Sequence, residues 1–202
     1  MAVLDPLPIA PENESIAVPH SSRRDFLTRA ALAAPALLLS ERLFAAAGPA
    51  RAADLGSRAL MFHHTHTGET LTAEYFSGGA YVPDALAAID HHLRDFRTGD
   101  EHTIDPALLD LLHRLAAVTS TAKPFEVISG YRSPKTNHML RETSAGVAAS
   151  SLHMVGKAID IRLVDVHLPD LRGAAVGLRR GGVGYYPESD FVHVDTGRVR
   201  TW

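Results

Sequence analysis

Apolar positions along this chain follow two different periods, and the alternation between them outlines the elements. Leu60-Met61-Phe62 and Leu71-Thr72-Ala73-Glu74-Tyr75-Phe76 flank a polar stretch holding Gly68, which predicts two short strands joined as a hairpin. From Val82 to Phe96 the apolar residues Leu86, Ile89, Leu93 and Phe96 recur at helical spacing. Asp105-Pro106 opens a second helix, with Asp as N-cap, Pro at the first helical position and a stripe of Leu108, Leu111, Leu112 and Leu115. Phe125 to Ile128 reads as a buried strand, followed by a turn over Ser129–Pro134 and a short helix through Leu140. Ala158 to Val164 alternates as a strand does. A helix over Pro169–Arg179 ends at Gly181-Gly182, and strands follow near Val183–Tyr185 and Phe191–Val194. Helices come first and strands dominate the end. The predicted class is α+β, with a small, mainly antiparallel sheet and helices packed on one side.

The first fifty residues follow neither period. Ser22-Arg23-Arg24-Asp25-Phe26-Leu27 is a twin-arginine pattern, an apolar run covers Ala30 to Leu39, and small residues recur at Ala45-Ala46-Ala47 and Ala50-Arg51-Ala52. This is the layout of an export signal. The apolar run is shorter than the roughly 20 residues that span a bilayer, and Glu41 and Arg42 interrupt it. The expected division is an export signal with its flank over 1–52 and one domain over 53–202. The expected first partner is the twin-arginine export machinery, the expected location the periplasm or cell envelope, and no transmembrane span is expected in the mature chain.

Composition narrows the chemistry. A net charge of −3 argues against a nucleic-acid binder, which would be clearly basic. With no cysteine in 202 residues, disulfides, thiolate metal sites and cysteine nucleophiles are excluded. Any metal site must use histidine and carboxylate.

The segment Ser151–Asp160, followed by Asp190-Phe191-Val192-His193, carries such a set. His153, Asp160 and His193 could hold one zinc ion and leave a coordination position open. Asp190, three residues before His193, adds the spare carboxylate that metal-assisted hydrolysis uses. His153 and Asp160 are seven residues apart. On a helix that is about 10.5 Å along the axis, too far for one ion, and on a straight strand the odd separation puts them on opposite faces. The chain must therefore bend between them, and Gly156 is the natural place. Beyond the bend, Ile159, Ile161 and Leu163 share one face and Asp160 lies on the other. Val192 and Val194 likewise oppose His193 and Asp195. If the two strands pair, the three ligands converge.

The pattern Ser-x-His-x-x-Gly-x-Ala-x-Asp, then carboxylate-x-x-His, resembles the D-alanyl-D-alanine metallopeptidases, whose clan also holds lysostaphin-type enzymes and the hedgehog signalling domain. The chain is most similar to the YcbK-like murein endopeptidase family over nearly all of 53–202. The shared stretches are His66–Glu69, Arg94–Gly99, Ser129–Ser133, Gly181–Tyr186 and Phe191–Trp202. The resemblance implies a hedgehog/D-Ala-D-Ala-peptidase-like fold with a single zinc site. It implies His153, Asp160 and His193 as Zn2+ ligands, Asp190 as the catalytic carboxylate and Arg132 as an arginine binding the substrate carbonyl or carboxylate. It further implies peptidoglycan stem peptides as substrate and cleavage of the cross-links between them. A D,D- or L,D-carboxypeptidase is the neighbouring possibility, and a non-catalytic zinc-containing cell-wall binding module is a possibility of another class.

Other residues invite plainer readings. Asp195 is expected to orient His193 or Arg132, and Ser151 to cap the bend. His63, His64 and His66 read as exposed or structural, His91 and His92 diverge on a helix, and Tyr185 and Tyr186 are candidate cleft residues.

Overall fold

The computed structural model describes residues 56–143 and 148–202. The segment expected to be an export signal, with its boundary at residue 52, lies outside the described residues.

The first two strands, β1 (Arg58–His64) and β2 (Thr70–Ser77), form the expected antiparallel hairpin. Gly68 takes a positive φ of 73° in its turn, and its N–H donates to the His64 carbonyl at 2.8 Å. A two-residue strand, β3 (Ala80–Tyr81), pairs with β2. Two helices follow, α1 (Pro83–His92) and α2 (Pro106–Thr119). The Asp105 side chain caps α2 by accepting from Ala107 N–H at 2.9 Å, and Ser120 ends the helix in the left-handed conformation. The remaining elements are β4 (Phe125–Ser129), α3 (Pro134–Thr143), a 3-10 turn at Leu152–Val155, β5 (Ala158–Arg162), α4 (Leu168–Leu178), β6 (Gly182–Tyr186), a 3-10 turn at Pro187–Ser189, β7 (Phe191–Asp195) and β8 (Arg200–Thr201).

The α+β class holds, but the sheet is larger than the small one expected, and it is mixed. All eight strands form one mixed sheet in the order β3-β2-β1-β4-β5-β7-β6-β8. The β1–β4 and β6–β8 pairs run parallel, and the other pairs are antiparallel. Parallel neighbours need a crossover. Helices α1 and α2 supply it between β1 and β4, returning the chain to the edge where it began. β8 steps past β7 to reach the far side of β6. No hydrophobic period signals either event.

One apolar cluster joins the helices to the sheet. Leu108, Leu112 and Leu115 of α2 and Leu171 of α4 are fully buried with Val127, Ile159, Ile161, Val192 and Val194. Each such side chain stabilises the fold by about 1.5–3 kcal/mol relative to exposure. This burial decides which face of β5 and β7 points inward, and so which residues are left for the opposite face. Among the described residues no helix is long and apolar enough to cross a membrane.

Candidate metal centre

Asp160 and His193 face each other directly in the antiparallel β5–β7 register. Their neighbours Ile159, Ile161, Val192 and Val194 point into the core, so the two polar side chains share the other face. His153 reaches them from the 3-10 turn. Ser151 Oγ accepts from His153 N–H at 3.4 Å, and Gly156 closes the turn at φ +64°. A Cβ at Gly156 would lie 2.1 Å from the Thr103 carbonyl oxygen, and the Gly156 carbonyl accepts from Asp105 N–H at 2.9 Å. The bend is therefore packed against a neighbouring loop as well as requiring glycine.

The three side chains are buried, and their ligand atoms lie within 4.8 Å of one another. Asp160 Oδ1 is 2.8 Å from His193 Nδ1 and 3.2 Å from His153 Nε2, and the two nitrogens are 3.1 Å apart. Ligands on a tetrahedral zinc, with bonds of about 2.0–2.1 Å, would sit roughly 3.3 Å apart. Two imidazole nitrogens and a carboxylate oxygen are also a donor set that zinc accepts.

The far side of each ring supports the same fit. His153 Nδ1 lies 2.7 Å from the Gly130 carbonyl, which can only accept, so Nδ1 carries the proton and Nε2 offers its lone pair to the centre. His193 Nε2 lies 3.1 Å from Asp195 Oδ2, which leaves Nδ1 facing inward. Metal-binding histidines are held this way, with the outer N–H given to a carbonyl or carboxylate.

The charges reinforce one another. Burial opposes ionisation of Asp160, but His153 and His193 outweigh it and hold the carboxyl well below its ordinary range. Burial would likewise lower His193, yet its bonds to Asp160 and Asp195 push it up to about 9.

Arg132 and Asp190 are placed differently. Arg132 N–H donates to the His153 carbonyl at 3.2 Å. Its Nη2 is 3.5 Å from Asp160 Oδ2, and its buried Nε has no partner. Asp190 follows the Pro187–Ser189 turn at φ +53°, with its side chain 62% exposed and 3.1 Å from Arg162 Nη1. Arg162 lies two residues beyond Asp160 on the same face of β5, so the pair borders the candidate metal centre without joining it.

The centre opens into a cleft of about 340 Å³, whose walls include Arg132, Ser151, Tyr186, Phe191, Arg200 and Trp202. Arg200 and Trp202 escape the sequence reading. Arg200 Nη2 bonds Asp195 at 2.8 Å and its guanidinium lies 4.7 Å from the Trp202 ring centre. Trp202 Nε1 donates to Tyr186 Oη at 2.8 Å. Both residues lie in the quoted terminal stretch, but only the parallel β6–β8 pairing reveals that it returns to the cleft.

The N-terminal histidines form no second centre. His63 bonds Glu126, His64 is buried, and His66 stacks on Phe96. Among the described residues, His153, Asp160 and His193 make the one three-donor set.

A mixed-sheet α+β domain with three convergent metal donors at the floor of a cleft defines a candidate metallohydrolase scaffold. A family model described as peptidoglycan L,D-endopeptidase MepK (Peptidase_M15_2) matches residues 52–202. Peptidoglycan L,D-endopeptidase MepK of Escherichia coli K12 is 42% identical over 182 residues, covering 90% of this chain and 97% of that protein. The probable peptidoglycan L,D-endopeptidase MepK of Haemophilus influenzae is 44% identical over 146 residues, covering 72% and 78%. The chain belongs to the MepK family of M15-type peptidases. No solved structure matches it significantly.

Proposed function

We propose that this protein is an exported zinc metallopeptidase that hydrolyses stem-peptide bonds of peptidoglycan, acting as an endopeptidase on cross-links. The observation carrying this reading is the convergence of His153 Nε2, Asp160 Oδ1 and His193 Nδ1 on one point at the floor of an open cleft. The printed activity of the E. coli and H. influenzae relatives supports the substrate class.

Bound zinc would supply Lewis-acid polarisation of the peptide carbonyl and make water more acidic. The protein's own residues do the rest. Gly130 and Asp195 fix the two rings so that both inner lone pairs face the centre. Arg132, beside Asp160 with its Nε unpartnered, is placed to stabilise the carbonyl oxygen as it gains negative charge. Asp190 takes the proton of the attacking water and passes it to the leaving amine. To do so it must leave Arg162. That exposed pair is worth about 0–1 kcal/mol, so it opens at little cost.

Residues 1–52 act as a twin-arginine-type export signal and 53–202 as the peptidase domain, which places the enzyme in the periplasm or cell envelope with its substrate.

The test is incubation of the protein with purified sacculi. Loss of cross-linked muropeptides, read by mass spectrometry after muramidase digestion, is expected with zinc, should be absent on chelation and should return when zinc is restored. Sacculi left intact under all three conditions would refute a hydrolase. Release of single terminal amino acids alone would mark a carboxypeptidase.

A further inference from the structure

Strand β6 leaves room for two side chains of the last residues. In the parallel β6–β8 pair, Gly182 lies opposite Arg200 and Val183 opposite Thr201. Trp202 continues the pairing. Its N–H donates to the Val183 carbonyl at 3.2 Å, and its carbonyl accepts from Tyr185 N–H at 3.1 Å. Side chains two residues apart share a face, so Arg200 and Trp202 lie together beside Gly182 and Gly184. A Cβ at Gly182 would lie 2.4 Å from the Arg200 guanidinium, and one at Gly184 would lie 2.8 Å from the Trp202 ring. Gly184 is also the register partner of His193. The missing side chain therefore seats the indole next to a metal donor, with the Trp202 and His193 ring centres 5.2 Å apart.

The indole is held but not covered. Its Nε1–H donates to Tyr186 Oη at 2.8 Å, and the Arg200 guanidinium stands 4.7 Å from its ring centre. Arg200 is itself tied to Asp195 by contacts of 2.8 and 3.2 Å, so its charge is already met. Tyr186 in turn stacks on Phe191 at 4.6 Å. Trp202 is nevertheless 48% exposed, and with Tyr186 and Phe191 it lines the cleft that holds the metal donors. An aromatic ring fixed at its edges has little rotamer freedom left to lose when a ligand covers it. The cleft is therefore two-sided. Arg132 meets the centre at Asp160, 3.5 Å away, and presents charge, whereas Trp202 meets it at His193 and presents an apolar face. A peptide lying across the centre would turn an oxygen toward Arg132 and an aliphatic group toward Trp202.

We propose that Trp202, backed by Tyr186 and Phe191, is a substrate-binding residue whose open indole face receives the aliphatic part of a stem-peptide residue beside the scissile bond. This deepens the peptidase reading and rests on it. An extended residue spans about 3.5 Å. A group packed on an indole this close to His193 therefore belongs to a residue at or next to the bond being cut, not to the sugar chain beyond the stem.

Trp202 is the only tryptophan of the chain, so intrinsic tryptophan fluorescence reports on this site alone. The zinc-loaded protein is titrated with a free stem tetrapeptide and, separately, with the peptide-free disaccharide of the glycan strand. The tetrapeptide should change the emission saturably and reduce its quenching by acrylamide, and the disaccharide should do neither. In calorimetry, Trp202→Ala should bind the tetrapeptide about tenfold more weakly than wild type, and Trp202→Phe, which keeps a ring, about threefold more weakly or less. Both variants are compared at matching circular dichroism and zinc content, and the wild-type titration decides the matter if Trp202→Ala folds poorly. Emission unmoved by the tetrapeptide, a response to the disaccharide instead, or a folded Trp202→Ala that binds as wild type does would overturn the proposal. Binding is read without turnover. Uncut sacculi would contradict the peptidase reading, whereas cut sacculi with an unmoved emission would overturn this proposal alone.

Discussion

His193 and Asp195 lie two residues apart on one face of β7, with His193 Nε2 3.1 Å from an Asp195 carboxylate oxygen. Asp195 is fully buried and takes three further donors: Gly182 N–H at 2.9 Å, Gly197 N–H at 2.8 Å and the Arg200 guanidinium at 2.8 Å. Burial alone would raise its pKa, but these partners and His193 hold it low. A permanent carboxylate therefore fixes the His193 ring and would strengthen it as a metal ligand. Asp195→Asn should weaken zinc binding by about 10–100-fold, as measured by competition with a chromophoric chelator. Unchanged affinity in a folded variant would exclude this role.

Gly156 is required twice over, by its φ of +64° and by the Thr103 carbonyl that a Cβ would meet at 2.1 Å. A left-handed residue with a side chain costs about 1–2 kcal/mol, and overpacking costs about 1–3 kcal/mol more. Gly156→Ala should thus destabilise the fold by about 2–5 kcal/mol in urea unfolding, and it should also weaken zinc binding, because the same turn carries His153. An unchanged unfolding midpoint would show that the loop yields freely.

His64 makes stability sensitive to acid. It is 1% exposed, and burial first, then His92 and His66, lower its pKa to about 4. The unfolded ring titrates near 6.5. Between those values the unfolded chain binds a proton that the folded chain refuses. The stability from a neutral His64 is therefore full above pH 6.5 and falls as the pH drops toward 4. Lowering the pH from 6.5 to 5 should cost wild type about 2 kcal/mol more than His64→Gln in matched urea melts. Carboxylate titrations are common to both proteins and cancel. Equal losses would assign the acid sensitivity elsewhere.

The elements with strong periodicity were legible in the sequence. The hairpin of β1 and β2, the leucine stripe of α2 and the alternation of β5 and β7 all have a buried face that writes its period into the residues. The bend at Gly156 was legible by elimination, because neither helix nor strand joins His153 to Asp160. The parallel pairings were not. They depend on where crossovers return the chain, and β8, with two residues, is too short to show a period. Arg200 and Trp202 were missed for that reason. Asp190 shows another limit. Its spacing from His193 puts it near the centre, but its direction is set by a left-handed turn and an ion pair with Arg162.

The most direct test of a hydrolytic metal centre at His153, Asp160 and His193 is mass spectrometry of purified sacculi treated with wild type or with His153→Ala, each with zinc. After muramidase digestion of the treated sacculi, we expect wild type to yield muropeptides with the new amine and carboxyl ends of a cut cross-link, and His153→Ala to yield none above background. Equal yields from the two proteins, with His153→Ala folded and free of zinc, would contradict the assignment.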